Sequence, residues 1–511
     1  MSVALLVFFL CAYLRFVNLD WGIGPKVRAG WHPDEQIVVG LNGSLAANRF
    51  DTDMKRAPLA EGLQGARYNF SSYFYAAYFW YNIVEPMERA LHSKQRPGPL
   101  QPVVIYRQFS ALLGLAACIF VYCCARMFIP EGFALLAALF TGVCPLLVQD
   151  SHYARAESFV TAAAAGILWL TILIANAPRR ILYFCTGLLI GVVTACKISI
   201  GPLLFLPVAA IGARFWPHLQ TEKRRALQYL GITTAGFVLG IISGVPYGVV
   251  HWRDYWHGWQ YLRSQYSNPF PPHGPDPPGY CFGFIGNYFA STFGIALFIL
   301  AGLGVFHLIR ARRYFLMVIL VGPVLLYYVI FGFEYAFFER NISHIVPCVT
   351  LLAAVGCLEI WRQIQRATRA PQLRAAVLTI VIAAAIWVPL TLSWRIAVVV
   401  LSGRSYDPIS EYDALLGDVY KGLPPVQYDG WSHQFLERIR QYLAAHPAGF
   451  ILKVGDANDD LSRHRLAIAR HIYNMKLLAT VPGHFADLPT CTLQMYHSQT
   501  YSWYLVRPNG T

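Results

Sequence analysis

Charge is what this sequence has least of. Asp, Glu, Lys and Arg make up 13% of its 511 residues, against 56% hydrophobic, where an ordinary soluble protein carries about 25% charged residues. That scarcity excludes a water-soluble enzyme of usual composition. The eleven cysteines form no CxxC pair, and Cys118, Cys123, Cys124 and Cys357 fall inside apolar runs. Such cysteines act as small hydrophobes, so neither a disulfide framework nor a zinc module is expected. No internal repeat and no soluble nucleotide-binding domain are visible. The formal charge of +14 does not point to nucleic acid, because the basic residues lie in short clusters between apolar runs.

What is present is a succession of apolar runs of roughly 20 residues, the signature of a polytopic membrane protein. Residues 1–17 lack a charged start and a small-residue cleavage site, and read as a retained helix. Eleven spans are expected, at about 1–17, 103–127, 132–148, 158–176, 181–196, 198–215, 228–248, 284–308, 314–332, 342–360 and 376–400. Alternate loops are basic: Arg179-Arg180, Lys223-Arg224-Arg225, the group Arg310, Arg312 and Arg313, and the run with Arg362, Arg366, Arg369 and Arg374. The positive-inside rule places them, and the N-terminus, in the cytoplasm. The short loops favour a bacterial inner membrane.

Residues 1–400 then form the transmembrane domain and 401–511 a small extracytoplasmic α/β domain, in which a strand, a loop and a helix run from Phe450 to Met475. The first outer loop, 18–102, holds the aromatic stretch 68–92, which reads as interfacial helix rather than a span. The outer loop 249–283 contains NPFPPHGPDPPGY; proline at that density opposes regular structure, giving either a lid or a passive connector. Asn42, Asn69, Asn341 and Asn509 head Asn-X-Ser/Thr triplets on the expected outer side and would be glycan acceptors in a glycosylating host. The DTD at 51–53 has the spacing of an acidic metal motif but reads as a loop coincidence.

The residues able to do chemistry collect on that outer face. Acids are Asp34, Glu35, Asp150 and Glu157; cations are Arg67, Arg155, Lys197 and Arg340, with His152 and His344 beside them. Asp34 and Glu35 follow Pro33 and also suit the first turn of a helix, where acids complement the dipole. Arg67 and Arg155 serve equally well as interfacial anchors. Lys197 is harder to explain that way, since it sits between two spans with no loop around it. Charges near a membrane are costly and face a cavity or a partner. Together they suit displacement of a phosphate leaving group: a carboxylate takes the proton of an attacking hydroxyl and cations stabilise the departing phosphate.

WHPDEQIVVG (31–40) resembles the outer-loop Asp-Glu signature of the GT-C glycosyltransferases, with the protein O-mannosyltransferases and ArnT-type aminoarabinose transferases the nearest in pattern. IYRQFSALLGLAACIFVY (105–122), the stretch 135–163, VTACKISIGPLLFLP (193–207) and FERNISHIVPCVTLLAA (338–354) are similar to successive family segments. The resemblance covers about residues 1–360. It implies a GT-C fold and an inverting transfer from a polyprenyl-phosphate sugar to an acceptor hydroxyl on a lipid, glycan or protein. Asp34 matches the base and Glu157 the second-loop acid, with Glu35 and Asp150 beside them. Lys197 and Arg340 match cations near the donor phosphate, with Arg155, Arg67 and His344 as further candidates. No metal or other cofactor is expected. Two segments depart from the family: RYNFSSYFY (67–75) stands where relatives often have Pro-Pro-Leu-Tyr-Tyr, and Asn-Ile follows Arg340 in place of Tyr. A transporter or flippase, or a lipid-linked glycan polymerase or ligase, are the alternatives.

Overall fold

The computed structural model describes residues 3–21, 33–53, 66–92, 101–267, 280–334 and 339–400, and four strands within 451–508. Helix α1 (Val3–Phe16) is followed by two helices within residues 18–102, α2 (Pro33–Ser44) and α3 (Ser71–His92). Proline opens α2 at a position where its missing N–H is not needed. On α3, Tyr73, Phe74 and Ala77 are buried while Phe79, Ile83 and Met87 form an exposed stripe, the pattern of a helix lying along an interface.

The bundle continues with α4 (Pro102–Arg126), α5 (Glu131–Gly142), α6 (Pro145–Ser151), α7 (Glu157–Asn176) and α8 (Arg180–Cys196). A 3-10 segment, Ile198–Leu204, leads into α9 (Phe205–Phe215), then α10 (Leu219–Gly244), α11 (Pro246–Val250) and α12 (Trp252–Ser267). After α13 (Tyr280–Phe293), α14 (Ile295–Arg310) and α15 (Tyr314–Gly332), a second 3-10 segment, Glu339–Ile345, enters α16 (Val346–Ala367), and α17 is Pro371–Trp394. Every residue from Val346 to Glu359 is buried. A helix apolar on all sides belongs inside, and α16 is the central post of the bundle.

All eleven expected spans fall on helices, but fewer than eleven qualify as crossings. Among the described residues seven helical segments are long and apolar enough, or up to nine if each bent pair counts as one. The bent pairs are α5 with α6, at 62°, and α13 with α14, at 107°. Helices α1 and α8, of 14 and 17 residues, are shorter than the roughly 20 residues that a straight crossing needs. The loop expected at 249–283 is in part helical. Residues 252–267 contain no proline and wind as α12, while the proline-rich 268–279 lies outside the described residues.

In the C-terminal part, four strands form one sheet in the order β1-β4-β3-β2: β1 (Ile451–Asp456), β2 (Lys476–Phe485), β3 (Leu488–His497) and β4 (Ser502–Pro508). Strand β1 runs parallel to β4, and β3 is antiparallel to both its neighbours. The helix expected between β1 and β2 lies outside the described residues.

Helix α8, which delivers Lys197, is fixed by contact of backbones. Gly187 and Gly191 lie against the Thr233 and Phe237 carbonyls of α10, and Gly236 and Gly240 lie against those of Phe184 and Leu188. A Cβ at any of these four would collide with main chain. Gly191→Leu is therefore expected to force the pair apart and destabilise the fold, whereas Gly212→Leu, with open space beside it, should not. Thermal unfolding of the two purified variants checks this.

Candidate functional site

The arrangement starts from a buried ion pair. Arg107, near the start of α4, donates through Nε and Nη2 to the two carboxylate oxygens of Glu35, each at 2.8 Å. Its Nη1 donates to the carbonyls of Leu19 and Trp21, at 3.0 and 2.6 Å, and its guanidinium lies 4.0 Å over the Trp21 ring. The Ala154 N–H donates to Glu35 Oε1 at 2.8 Å, and Trp21 Nε1 donates to the His152 carbonyl at 3.0 Å. Both partners are fully buried. This clasp binds the end of α1, the first turn of α2, α4 and the turn 152–156 into one unit. A charge in that position requires a fully satisfied partner set, which it has.

That turn carries the second cluster. Arg155 Nη2 donates to Asp150 Oδ1 at 2.9 Å, and its Nε is 3.5 Å from Glu157 Oε2. The other Glu157 oxygen is 3.8 Å from both Lys197 Nζ and Arg340 Nε. Ser343 Oγ donates to Asp150 Oδ2 at 2.6 Å, and Lys197 Nζ to Asn341 Oδ1 at 3.0 Å. Three cations thus gather around two carboxylates, leaving a surplus positive charge. Burial lowers the Lys197 pKa from its ordinary value, against the pull of Glu157 and with Arg340 adding to the fall. His344 is buried with its Nε2 unpartnered, its ring centroid 4.1 Å from that of Tyr327 in an edge-on contact.

The expected site residues are thereby sorted. Asp150, Arg155, Glu157, Lys197 and Arg340 come together, with His344 electrostatically coupled to Lys197. Glu35 is committed to the clasp. Arg67 pairs with Asp254 of α12 instead of joining the cluster. The His152 ring nitrogens lie 2.7 Å from the Val148 carbonyl and 2.9 Å from that of Val17. Asp34 is the second residue of α2, and its side chain lies outside the described residues. Asp51 and Asp53 are buried in a turn in which Asp51 Oδ1 accepts the Asp53 N–H at 3.0 Å, and no metal-binding group of His, Cys, Asp or Glu occurs among the described residues.

Three glycan-acceptor triplets are corrected: Asn42, Asn69 and Asn341 are buried and closed to a modifying enzyme. Asn509 lies outside the described residues. Sequence reasoning missed Arg107, Asn341 and Ser343. A lone arginine in an apolar run, as at 107, is a readable signal; Asn341 and Ser343 stood out only as the ends of an Asn-X-Ser triplet. Tyr73 is also new. It is fully buried on α3, where burial raises its phenol well above the usual range and Glu157 and Glu35 both add to the rise.

Residues 103–243 match the family model described as dolichyl-phosphate-mannose-protein mannosyltransferase, in line with the resemblance carried by the motifs. A search of curated proteins finds no match. Among solved structures, the chain is similar to the apo oligosaccharyltransferase of Archaeoglobus fulgidus, with 12% identity, a TM-score of 0.50, 91% of this chain covered and 63% of that one. It is also similar to the same organism's AglB in complex with an inhibitory peptide and a dolichol-phosphate, at 14% identity and TM-score 0.47 over 79% and 56% of the two chains. A third match is ArnT from Cupriavidus metallidurans bound to undecaprenyl phosphate, at 15% identity and TM-score 0.45 over 82% and 72%. The chain spans less than two thirds of the archaeal enzyme's length. The likeness to the apo archaeal oligosaccharyltransferase is one of fold.

The clasp predicts a strongly non-additive pair. Breaking a buried ion pair costs about 3–5 kcal/mol, whereas replacing both partners with apolar residues costs much less. Glu35→Met and Arg107→Met should each lower the apparent melting temperature markedly, and the double variant by less than their sum. Additive losses would show that the two side chains do not act as a pair.

Proposed function

We propose that the protein is an inverting glycosyltransferase that moves a sugar from a polyprenyl-phosphate donor to an acceptor hydroxyl at the outer membrane face. The observation that carries this reading is the cluster at Glu157, where Arg155, Lys197 and Arg340 gather around the carboxylates of Glu157 and Asp150 with one positive charge to spare. A phosphodiester donor supplies one negative charge, and its negative charge grows as the sugar–oxygen bond breaks. Prepositioned cations stabilise that change without reorganising. The dolichol-phosphate in complex with the archaeal AglB and the undecaprenyl phosphate bound to ArnT have the same chemistry, as does the donor in the family's name.

In this reading Lys197, Arg340 and Arg155 receive the phosphate, with His344 facing it, and Glu157 and Asp150 hold the cations in place between turnovers. Asp34 takes the proton from the acceptor hydroxyl as it attacks the anomeric carbon opposite the phosphate, which inverts the configuration. Two links support its placement. Asp34 is adjacent to Glu35, and the carboxylate of Glu35 is bonded to the N–H of Ala154, the residue before Arg155. A helix N-terminus keeps such a carboxylate ionised. No divalent metal is assigned, since the phosphate has cationic side chains of its own. The site faces the periplasm or a lumen, with a bacterial inner membrane as the proposed location.

Purified protein, incubated with a panel of synthetic polyprenyl-phosphate sugars and candidate acceptors, should release the lipid phosphate, read by mass spectrometry. Asp34→Asn should retain donor binding and lose turnover by at least 100-fold, the usual scale for a general base. Lys197→Met should weaken donor binding at every pH. In the wild type, affinity should fall on the alkaline side at a pH below that of an ordinary lysine, because the depressed Lys197 pKa removes its charge early. Equal turnover by wild type and Asp34→Asn would remove Asp34 as the base. Donor binding by neither Lys197→Met nor wild type would favour the transporter reading.

A further inference from the structure

Lys197 makes its shortest polar contact with a neutral side chain. Its Nζ donates to Asn341 Oδ1 at 3.0 Å, while the nearest carboxylate oxygen, on Glu157, is 3.8 Å away. An ammonium has only donors, so it fixes which end of the amide faces it. The Tyr266 hydroxyl reaches the same amide, 3.4 Å from Asn341 Nδ2 and 3.5 Å from Oδ1, so it contacts both ends of the group that the ammonium orients. Tyr266 belongs to the last turn of α12. The first half of the same helix is tied to the segment just before α3: Asp254 pairs with Arg67 and Gly258 lies against the Arg67 backbone, while His251, the residue ahead of the helix, stacks on Tyr68 at 6.4 Å. Three residues beyond Arg67, the Phe70 N–H donates to the carbonyl of Cys196, at 2.9 Å. Tyr68 and Phe70 hold left-handed backbone angles, φ 61° and 60°, which bulky residues adopt only where the surroundings impose them. Helix α12 therefore runs between two attachments to the Lys197 segment.

We propose that Asn341 is the positioning residue of Lys197, holding its ammonium beside Glu157 and toward an anionic ligand, with Tyr266 of α12 fixing the amide that does so. The proposal rests on the phosphate reading of the site for its consequence, though not for its geometry. The other groups facing Lys197 are Glu157 from α7, Asp150 from α6, Cys196 from α8, and Arg340 and His344 from the 3-10 segment. None of them is altered by a change at 341 or 266.

The test reads Lys197 itself. The chain has eight lysines, so trace acetylation of the purified full-length protein across pH, mapped by mass spectrometry, gives a labelling midpoint for each, and the other seven serve as references. Losing a hydrogen bond to the charged form should move the Lys197 midpoint down by about one pH unit in Asn341→Leu. Asn341→Asp, which keeps the size and adds a carboxylate, should move it up, and carries the test if Asn341→Leu does not fold. Tyr266→Phe should give a smaller downward shift. The same midpoint in wild type, Asn341→Leu and Asn341→Asp would overturn the proposal.

Undecaprenyl phosphate provides the second readout. It should protect Lys197 from labelling in the wild type, and about ten times more should be needed in Asn341→Leu. Shifted midpoints with no protection in any variant would uphold the role of Asn341 and count against the phosphate reading instead.

Discussion

The structure depends on the buried pair between Glu35 and Arg107. Alone, either charge would be untenable where it sits, since an ion removed from water with an incomplete partner set costs several kcal/mol. Together, with the carbonyls of Leu19 and Trp21, the Ala154 N–H and the Trp21 ring, all three guanidinium nitrogens and both carboxylate oxygens are engaged. The pair ties together four segments that lie up to 119 residues from Glu35 in the sequence. It also sets how close the first turn of α2 lies to the turn that carries Arg155 and Glu157.

The acidic pair at 34–35 therefore divides its work. Glu35 faces the clasp and builds the site without belonging to its chemistry. Asp34, one residue earlier, is the proposed base. The same division recurs at 155–157, where Arg155 locks onto Asp150 and Glu157 is shared among three cations. A carboxylate shared in this way holds open a position that a phosphate oxygen can take over. At the remaining side, Lys197 is placed by glycine-mediated contact of α8 with α10 and by an amide reached from α12. Backbone approach and side-chain hydrogen bonding thus converge on one ammonium group.

Much of this was legible in the sequence, for identifiable reasons. Hydrophobic length placed every expected span on a helix, because spanning segments must satisfy their own backbone. The alternation of arginine clusters gathered Asp150, Arg155, Glu157, Lys197 and Arg340 on one expected face, and the structure brings these five together. Length alone did not show that α5–α6 and α13–α14 bend, nor that α1 and α8 are short, since a bend is set by packing rather than composition. Pairing was equally hidden. Arg67 looked as available as Arg340, yet Asp254 claims it, and Asn341 looked like a glycan acceptor until its burial showed it holding a lysine. Such choices depend on what the fold brings opposite, which one-dimensional patterns do not carry.

The central claim is that the cations around Glu157 receive a lipid-linked phosphate. Determining the structure of the protein with a polyprenyl phosphate bound tests it most directly. The account predicts the phosphate within hydrogen-bonding distance of Lys197 and Arg340, with the Glu157 carboxylate moved off at least one of them and the Glu35–Arg107 pair unchanged. A phosphate bound elsewhere, with Glu157 still shared among Arg155, Lys197 and Arg340, would contradict it.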